Sequence, residues 1–399
     1  MPAELVPVEP PIRTSDYSSA LKNPFGYFLH RRLGMAHCLY EAEALDEGSW
    51  THKAQEFDTF EEPAYSEASR ERYESAVAAA VTAKEDVAYR VLGWPYESVE
   101  TLKMQTLQRA YKALALYQTA RNLPSGNFRG LQRFISQPHI TVIGREMRLE
   151  AVLDGRPVVG ILDLLLLNGL TGLLLPIDTK TTKLRAHVRT ATCAIEPQTW
   201  IYPRLVEANL DHIRAENPDL EIRGIAGFCH WVCERPEIRL SGKDRDFREV
   251  PHTLKSGPRK GQIEIRKEWT SDEPKFENYI QRVKDWFLGQ GDYLSEASLL
   301  QVEPRVDFSM VPWENIRDRS RDVRVILDVI DRWRTMEPDP SLFPKNPEAL
   351  ISNGELTTFS DFYLTEPRVW PILMDQHGIV VRHREDLEYG EEDPPQDNE

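Results

Sequence analysis

Apolar residues are concentrated in strand-length stretches near the middle of the chain. Three of them follow one another closely, at about 140–152, 157–167 and 172–179. Asp154-Gly155 and Asn168-Gly169 stand between them, and both dipeptides are typical of hairpin turns. A further apolar stretch of strand length covers 224–232. The pattern therefore predicts a hairpin-connected set of strands and one later strand.

Helical patterns surround these strands. Alanine, glutamate and arginine dominate 66–92, and leucines recur at helical spacing over 98–121. Further helices are predicted at 15–34, 47–58, 195–216, 274–289 and 313–334, with Trp286 and Trp333 expected in the core. Pro24 interrupts the first of them, so two helices joined by a turn are the alternative there. Helix, three strands, helix and strand in this order predict a mixed α/β sheet with helical cover.

Two of the predicted strands carry an acid. Asp163 lies in the second strand, and the third strand ends in Asp178-x-Lys180. Residues two apart project from one face of a strand, so Lys180 is expected beside Asp178. Two carboxylates can hold a hard cation such as Mg²⁺, and a cation with an ammonium group serves phosphodiester hydrolysis. By itself, this pattern is equally consistent with a metal site and with a solvated hairpin end.

Four short motifs stand in a fixed order around this pair. Gly-x-x-x-His occupies 48–52, an aspartate after Gly-x-x occupies 160–163, Asp-x-Lys occupies 178–180, and Gln-x-x-x-Tyr occupies 198–202. Together they resemble the signature of the RecB-type branch of the PD-(D/E)XK nuclease superfamily, to whose N-terminal helix 15–35 is also similar. The resemblance implies a restriction-endonuclease-like mixed β-sheet core flanked by helices. The helical patterns add a helical insertion and a helical C-terminal region to this core.

The resemblance also assigns roles to the matching residues. Asp163 and Asp178 are expected to bind the metal and, with Lys180, to be catalytic. His52 is expected to be a further metal ligand, and the alternative is a histidine on a helix surface near acids. In that family the backbone carbonyl of the residue at the Thr179 position commonly completes the metal shell. The cofactor implied is Mg²⁺ or Mn²⁺.

Three supporting residues complete the expected site. Glu146, in the first predicted strand, matches a position that is often acidic in the family, although acids are also common on solvated strand faces. Gln198 and Tyr202 lie four residues apart on one face of a predicted helix. By the same resemblance they orient the lysine or contact the DNA backbone.

The cysteines depart from the RecB-type pattern. Many members bind an iron–sulfur cluster through one cysteine before a proline in the N-terminal helix and three near the C-terminus. Here Asn23 precedes Pro24, and the similar C-terminal stretch 343–364 has no cysteine. The existing cysteines have neither the positions nor the spacing for a cluster, and they stand at 38, 193, 229 and 233. No iron–sulfur cluster is expected.

Charge is distributed unevenly along the chain. The net charge is −15, but 41–100 holds 15 acids against 5 bases, and 385–399 holds 8 acids and no base. By contrast, 243–267 contains eight lysines and arginines. That segment is expected to be either a solvated loop or a loop that contacts phosphates.

The chain is expected to have five parts. They are N-terminal helices of the nuclease domain (1–60), a helical insertion (61–135), the nuclease core (136–272), a helical C-terminal region (273–384) and an acidic disordered tail (385–399). No apolar run approaches the ~18 residues of a membrane span, and the N-terminus lacks the pattern of a secretory signal. A cytoplasmic location is expected, which is the host cytoplasm if a phage encodes the chain.

Asp163, Asp178 and Lys180, together with the resemblance, predict a metal-dependent DNA nuclease. The RecB-type resemblance further implies an exonuclease in DNA recombination, repair or phage DNA processing. The sequence contains no P-loop pattern, so unwinding is expected from a helicase partner. A single-strand-annealing or recombination protein is the other class of partner expected. Two alternatives stay open: a nucleic-acid-binding protein that keeps the fold without turnover, and a defence or restriction endonuclease.

Overall fold

The computed structural model describes most of the chain between Pro11 and Glu337. The described residues are 11–13, 16, 20, 23–33, 35–37, 43–60, 64–124, 130–193, 195–254, 262–290 and 305–337, with 343, 351–352, 355–356, 374 and 379–381 beyond them. The acidic segment 385–399, the bases Lys255, Arg259 and Lys260, and Cys38 lie outside the described residues.

Strands and helices occur throughout the described part of the chain. The strands are β1 Ile12–Arg13, β2 Met35–His37, β3 Ile140–Leu153, β4 Arg156–Asn168, β5 Leu173–Thr182, β6 Gly224–Ile225, β7 Gly227–Glu234, β8 Phe247–Thr253, β9 Ile263–Trp269, β10 Val306–Pro312, β11 Ile351–Ser352, β12 Glu355–Leu356 and β13 Ile379–Val381. The α-helices are α1 Pro24–Tyr27, α2 Glu43–Phe57, α3 Glu67–Asp86, α4 Tyr96–Ala120, α5 Leu131–Ile135, α6 Ala186–Cys193, α7 Pro197–Ala208, α8 Leu210–Glu216, α9 Phe276–Leu288, α10 Trp313–Arg317 and α11 Ser320–Thr335.

A mixed seven-stranded sheet forms the centre of the fold. Its order is β1-β4-β5-β7-β10, with β3 paired to β4 and β6 paired to β5. The pairs β3–β4 and β4–β5 are antiparallel, whereas β5 and β7 run parallel. The three predicted strands are confirmed as β3, β4 and β5, and the fold class is confirmed as a mixed α/β sheet covered by helices.

Strand β4 is buried on both faces of the sheet. Leu164 and Leu166 belong to an apolar cluster that includes residues of α2, α3 and α4. Leu165 and Leu167 belong to a second cluster, formed with residues of α7 and α11. Because successive side chains of a strand point to opposite faces, a continuous apolar run is what a strand between two layers requires.

The long helices expected as a helical insertion contribute to the first of these clusters. Tyr73 and Val77 of α3 pack there with Tyr117 of α4. The ring of Tyr117 meets the indole of Trp231, on β7, edge to face at 5.9 Å. These helices therefore pack against the same sheet as α2.

Other elements differ from the predicted ones. In the segment 15–34, predicted to be helical, Asp16 and Ala20 are helical, and the other described helical residues form α1, which begins at Pro24, and a π-helical turn, Phe28–Arg32. The helix predicted at 195–216 is divided into α7 and α8, and α6 begins earlier, at Ala186.

Two strand regions were not predicted. Much of the basic run 243–267, expected to be a loop, forms the antiparallel pair β8–β9. Strand β10 lies in the region predicted to be helical and extends the main sheet by pairing with β7. Its sequence does alternate apolar Val306, Phe308 and Met310 with polar residues, which is a strand signal.

Candidate metal centre

The acids Asp163 and Asp178 lie where two paired strands separate. The β4–β5 ladder runs from Asn168–Leu173 to Leu164–Ile177, and each acid is the next residue on its strand. Beyond that point the backbone N–H of Thr179 donates to Asp163 Oδ2 at 2.5 Å. The Asp163 carboxylate therefore occupies the fork between the strands and satisfies a buried backbone donor there.

Glu146 reaches the same fork from β3. Its neighbours Arg145 and Met147 pair with Leu164 and Leu162, so Glu146 stands opposite Asp163 on the same face of the sheet. The backbone φ of Glu146 is 46°, in the left-handed region. This conformation costs about 1–2 kcal/mol for a residue with a Cβ, and such strain clusters at functional sites.

Helix α2 completes the cluster with His52. Its Nδ1 lies 3.1 Å from Asp163 Oδ1 and 3.6 Å from Glu146 Oε1. His52, Glu146 and Asp163 offer one ligand atom each, all within 4.8 Å of one another.

One face of α2 packs against β5. Gly48 faces Thr181, whose hydroxyl would lie 3.6 Å from a Cβ added at Gly48. One turn beyond His52, Gln55 Oε1 accepts the Thr179 hydroxyl at 2.6 Å. Gln55 was not predicted as a site residue, although it stands three positions after His52 and hence on the same helical face.

Buried ion pairs hold α2 in this position. Glu47 accepts from Lys112 Nζ, on α4, at 2.6 Å and from Arg235, just after β7, at 3.0 Å. The preceding residue, Asp46, pairs with Arg109 of α4 at 2.9 Å. The register of His52 against the sheet is therefore set by contacts with distant parts of the chain.

The electrostatics of the cluster favour a bound cation. Burial lowers the pKa of His52, but the neighbouring Asp163 and Glu146 outweigh that effect and hold it well above its ordinary value. Burial also raises the pKa of Glu146 despite its contact with His52. In the protein without metal, the imidazolium thus compensates the charge of the acids, a role that a cation can take over.

Asp178 has a different set of partners. Its Oδ1 accepts from Lys180 Nζ at 2.9 Å, and its Oδ2 lies 3.4 Å from Nδ1 of His230, on β7. Burial raises the pKa of Asp178, but Lys180 and His230 outweigh it, so the pKa is lowered. Burial lowers the pKa of Lys180, but Asp178 and Asp163 outweigh that effect, so the pKa is raised. Both groups are therefore held in their charged forms.

His230 and Thr199 were not predicted as site residues. His230 is paired with Asp178 in the parallel β5–β7 register. No local spacing in the sequence relates the two residues, because the crossover between these strands contains three helices. Thr199, adjacent to the predicted Gln198, bonds to the far side of the His230 ring at 2.8 Å.

Gln198 and Tyr202 occupy α7. Gln198 is half-buried in the first turn of the helix. Tyr202 is 5% exposed, and its ring stacks on Phe228 with centroids 5.8 Å apart. Little of the Tyr202 side chain is therefore accessible to a DNA backbone.

The donor set fits a divalent metal ion. Carboxylate oxygens suit Mg²⁺ and Mn²⁺, and an imidazole nitrogen is tolerated better by Mn²⁺. In addition, Glu146 Oε1 and Asp178 Oδ2 are buried and make only long contacts among the described residues, with His52 at 3.6 Å and with His230 at 3.4 Å. A bound cation would give these oxygens a closer partner, and burying a charge without one is costly.

Comparison with known proteins finds one family. The model of the PD-(D/E)XK nuclease superfamily matches residues 14–287, a span that contains α2, the strands β3 to β5, α7 and β7. No curated protein matches the chain.

Proposed function

The chain belongs to the PD-(D/E)XK nuclease superfamily, and from that premise we propose that it is a Mg²⁺- or Mn²⁺-dependent deoxyribonuclease. The observation that carries the proposal is the convergence of His52, Glu146 and Asp163 beside the Asp178–Lys180 pair. An ion-binding cluster without an adjacent ammonium group would suit a structural metal equally well. The added lysine is what hydrolysis of a phosphodiester needs.

In this proposal His52, Glu146, Asp163 and Asp178 hold the metal ion, with the backbone carbonyl of Thr179. A bound divalent ion supplies Lewis acidity and lowers the pKa of water, which generates a nucleophile at neutral pH. Asp163 also keeps the Thr179 segment in place through the 2.5 Å bond to its N–H.

Lys180 is proposed to hold the attacking water or a phosphoryl oxygen. Asp178 keeps the ammonium group of Lys180 charged and holds it in place by accepting a hydrogen bond from Lys180 Nζ at 2.9 Å. A fixed positive charge in a partly buried site stabilises the charge that develops on the phosphate. Gln198 and Tyr202 are proposed to orient this part of the site from α7.

We further propose an exonuclease that acts in DNA recombination, repair or phage DNA processing, with a helicase or a single-strand-annealing protein as partner. Intact Asp163, Asp178 and Lys180 support an enzyme over a binding protein of the same fold, because binding alone requires none of the three.

No helix among the described residues is long and apolar enough to cross a bilayer.

The test is hydrolysis of end-labelled linear DNA, single- and double-stranded, beside closed circular DNA, with Mg²⁺, Mn²⁺ or EDTA. We expect loss of linear DNA with either metal, none in EDTA, and intact circles. Asp178→Asn should be inactive. Asp211→Asn is the matched control, because Asp211 is 98% exposed in its side chain and lies outside the site. Cleaved circles would indicate an endonuclease, and no cleavage of any substrate with either metal would overturn the proposal.

A further inference from the structure

A buried histidine on β7 contacts the Asp178 carboxylate. His230 is 0% exposed, and its Nδ1 lies 3.4 Å from Asp178 Oδ2. Neither atom has a closer hydrogen-bond partner among the described residues. The other carboxylate oxygen is bonded to Lys180. His230 is therefore the described side chain placed to fix the second oxygen of Asp178.

A hydrogen-bond chain fixes the orientation of the His230 ring. The Thr199 hydroxyl lies 2.6 Å from the carbonyl oxygen of Cys193 and 2.8 Å from His230 Nε2. A carbonyl can only accept, so the single hydroxyl proton points to Cys193, and the Thr199 oxygen accepts from Nε2–H. Since a carboxylate also only accepts, Nδ1 donates to Asp178 Oδ2 when it carries a proton as well. The ring is thus anchored on one side at the junction of α6 and α7, and its Nδ1 edge is turned towards Asp178.

Aromatic packing holds the ring from a second direction. Phe228 meets His230 edge to face at 4.9 Å, and the ring of Phe228 is also stacked on Tyr202. Tyr202 and Thr199 lie three residues apart on α7, hence on one face of the helix. Two side chains of α7 therefore determine where the histidine lies, one through a hydrogen bond and one through Phe228.

We propose that His230 is a positioning residue that fixes the Asp178 carboxylate for metal binding, and that Thr199 sets the orientation of its ring. The inference rests on the proposed function, because it assumes that Asp178 is a metal ligand. Groups that orient metal ligands commonly change metal affinity by 10–100-fold when they are removed. Without His230, Lys180 would be the remaining described side chain bonded to the carboxylate.

Two amide substitutions test the two ring nitrogens of His230 separately. The side-chain nitrogen of asparagine can take the place of Nδ1, and that of glutamine the place of Nε2. His230→Asn should therefore keep the contact with Asp178, whereas His230→Gln should keep the contact with Thr199 and lose Asp178. Titration calorimetry with Mn²⁺ alone should show about 10–100-fold weaker binding for His230→Gln and a smaller loss for His230→Asn.

Thr199→Val tests the second half of the proposal. It removes the hydroxyl at nearly constant volume, so Mn²⁺ binding should weaken several-fold, less than about 10-fold, as the ring loses its anchor. Thr106→Val is the matched control. Thr106 is also a buried helical threonine, and its hydroxyl donates to the Leu102 carbonyl at 3.0 Å, away from the site. Its Mn²⁺ affinity should equal that of the wild type.

The outcomes distinguish the inference from the proposed function. Wild-type Mn²⁺ affinity in both His230→Gln and Thr199→Val overturns the positioning role, even if both variants melt at lower temperature. If the His230 variants do not fold, Thr199→Val decides alone, and an unchanged affinity refutes the inference. By contrast, a wild-type protein that neither binds Mn²⁺ nor cuts DNA contradicts the proposed function itself.

Discussion

Two substitutions of Asp163 should separate its structural role from its proposed metal role. The carboxylate accepts the Thr179 N–H at 2.5 Å, and its other oxygen lies 3.1 Å from His52. Asp163→Ala removes the acceptor and the charge together. Asp163→Asn removes the charge but can still present an oxygen to the Thr179 N–H.

The expected free energies of unfolding follow from burial. Thr179 is fully buried, so Asp163→Ala leaves its N–H without this acceptor and should cost about 1–3 kcal/mol. Asp163→Asn keeps that bond, loses a charged partner for His52, and removes a like charge opposite Glu146. We expect its effect to stay within about 1 kcal/mol. Both variants should bind Mn²⁺ more than about 100-fold more weakly than the wild type. This loss exceeds the 10–100-fold typical of removing a group that only orients a metal ligand.

Urea unfolding in EDTA and again in Mn²⁺ measures both effects. At a Mn²⁺ concentration 100-fold above Kd, the wild type should gain about 2.7 kcal/mol, and neither variant should gain as much. Glu150→Gln is the matched control, since Glu150 is an exposed acid on the same strand as Glu146. Wild-type Mn²⁺ affinity in Asp163→Asn would refute the site. Equal stability of the two variants in EDTA would refute the argument from the Thr179 N–H.

Three further predictions concern pH, the thiols and the charged segments. In the protein without metal, the raised pKa of His52 means that its stabilising charge is fully present below the ordinary pKa of 6.5 and is lost as the pH rises through the raised value. The stability difference between wild type and His52→Gln in EDTA should therefore shrink on going from about pH 6 to about pH 10, and a difference that grows contradicts the assignment. Burial raises the pKa of Cys193 to about 12, so mass spectrometry after treatment of the native protein with iodoacetamide at about pH 8 should find this thiol unmodified. Deletion of the acidic segment 385–399 removes charges that repel phosphate, so it should tighten binding to a labelled duplex at low salt with Ca²⁺ present. Neutralising Lys255, Arg259 and Lys260 should weaken that binding. Unchanged affinity in both variants would contradict this account of how an acidic protein holds DNA.

Local patterns in the sequence were sufficient for the strands and for part of the site. Continuous apolar runs predict β4 and β5 because a strand buried on both faces has no place for regular polar positions. The spacing of Asp178 and Lys180 predicts their contact because the pleat repeats every two residues. His52 is likewise on the predicted helix. Each of these features depends on residues that are close in the chain.

Tertiary structure decided the rest. Glu146 meets Asp163 only in the β3–β4 register, which contains an irregularity between Val142 and Gly144. His230 meets Asp178 through a parallel pairing whose crossover passes through three helices. Local periodicity indicates which face a side chain occupies, but the partner across the sheet depends on register and crossover. Both are set by packing among residues far apart in sequence, and for that reason the sequence pattern alone did not indicate the histidine behind Asp178.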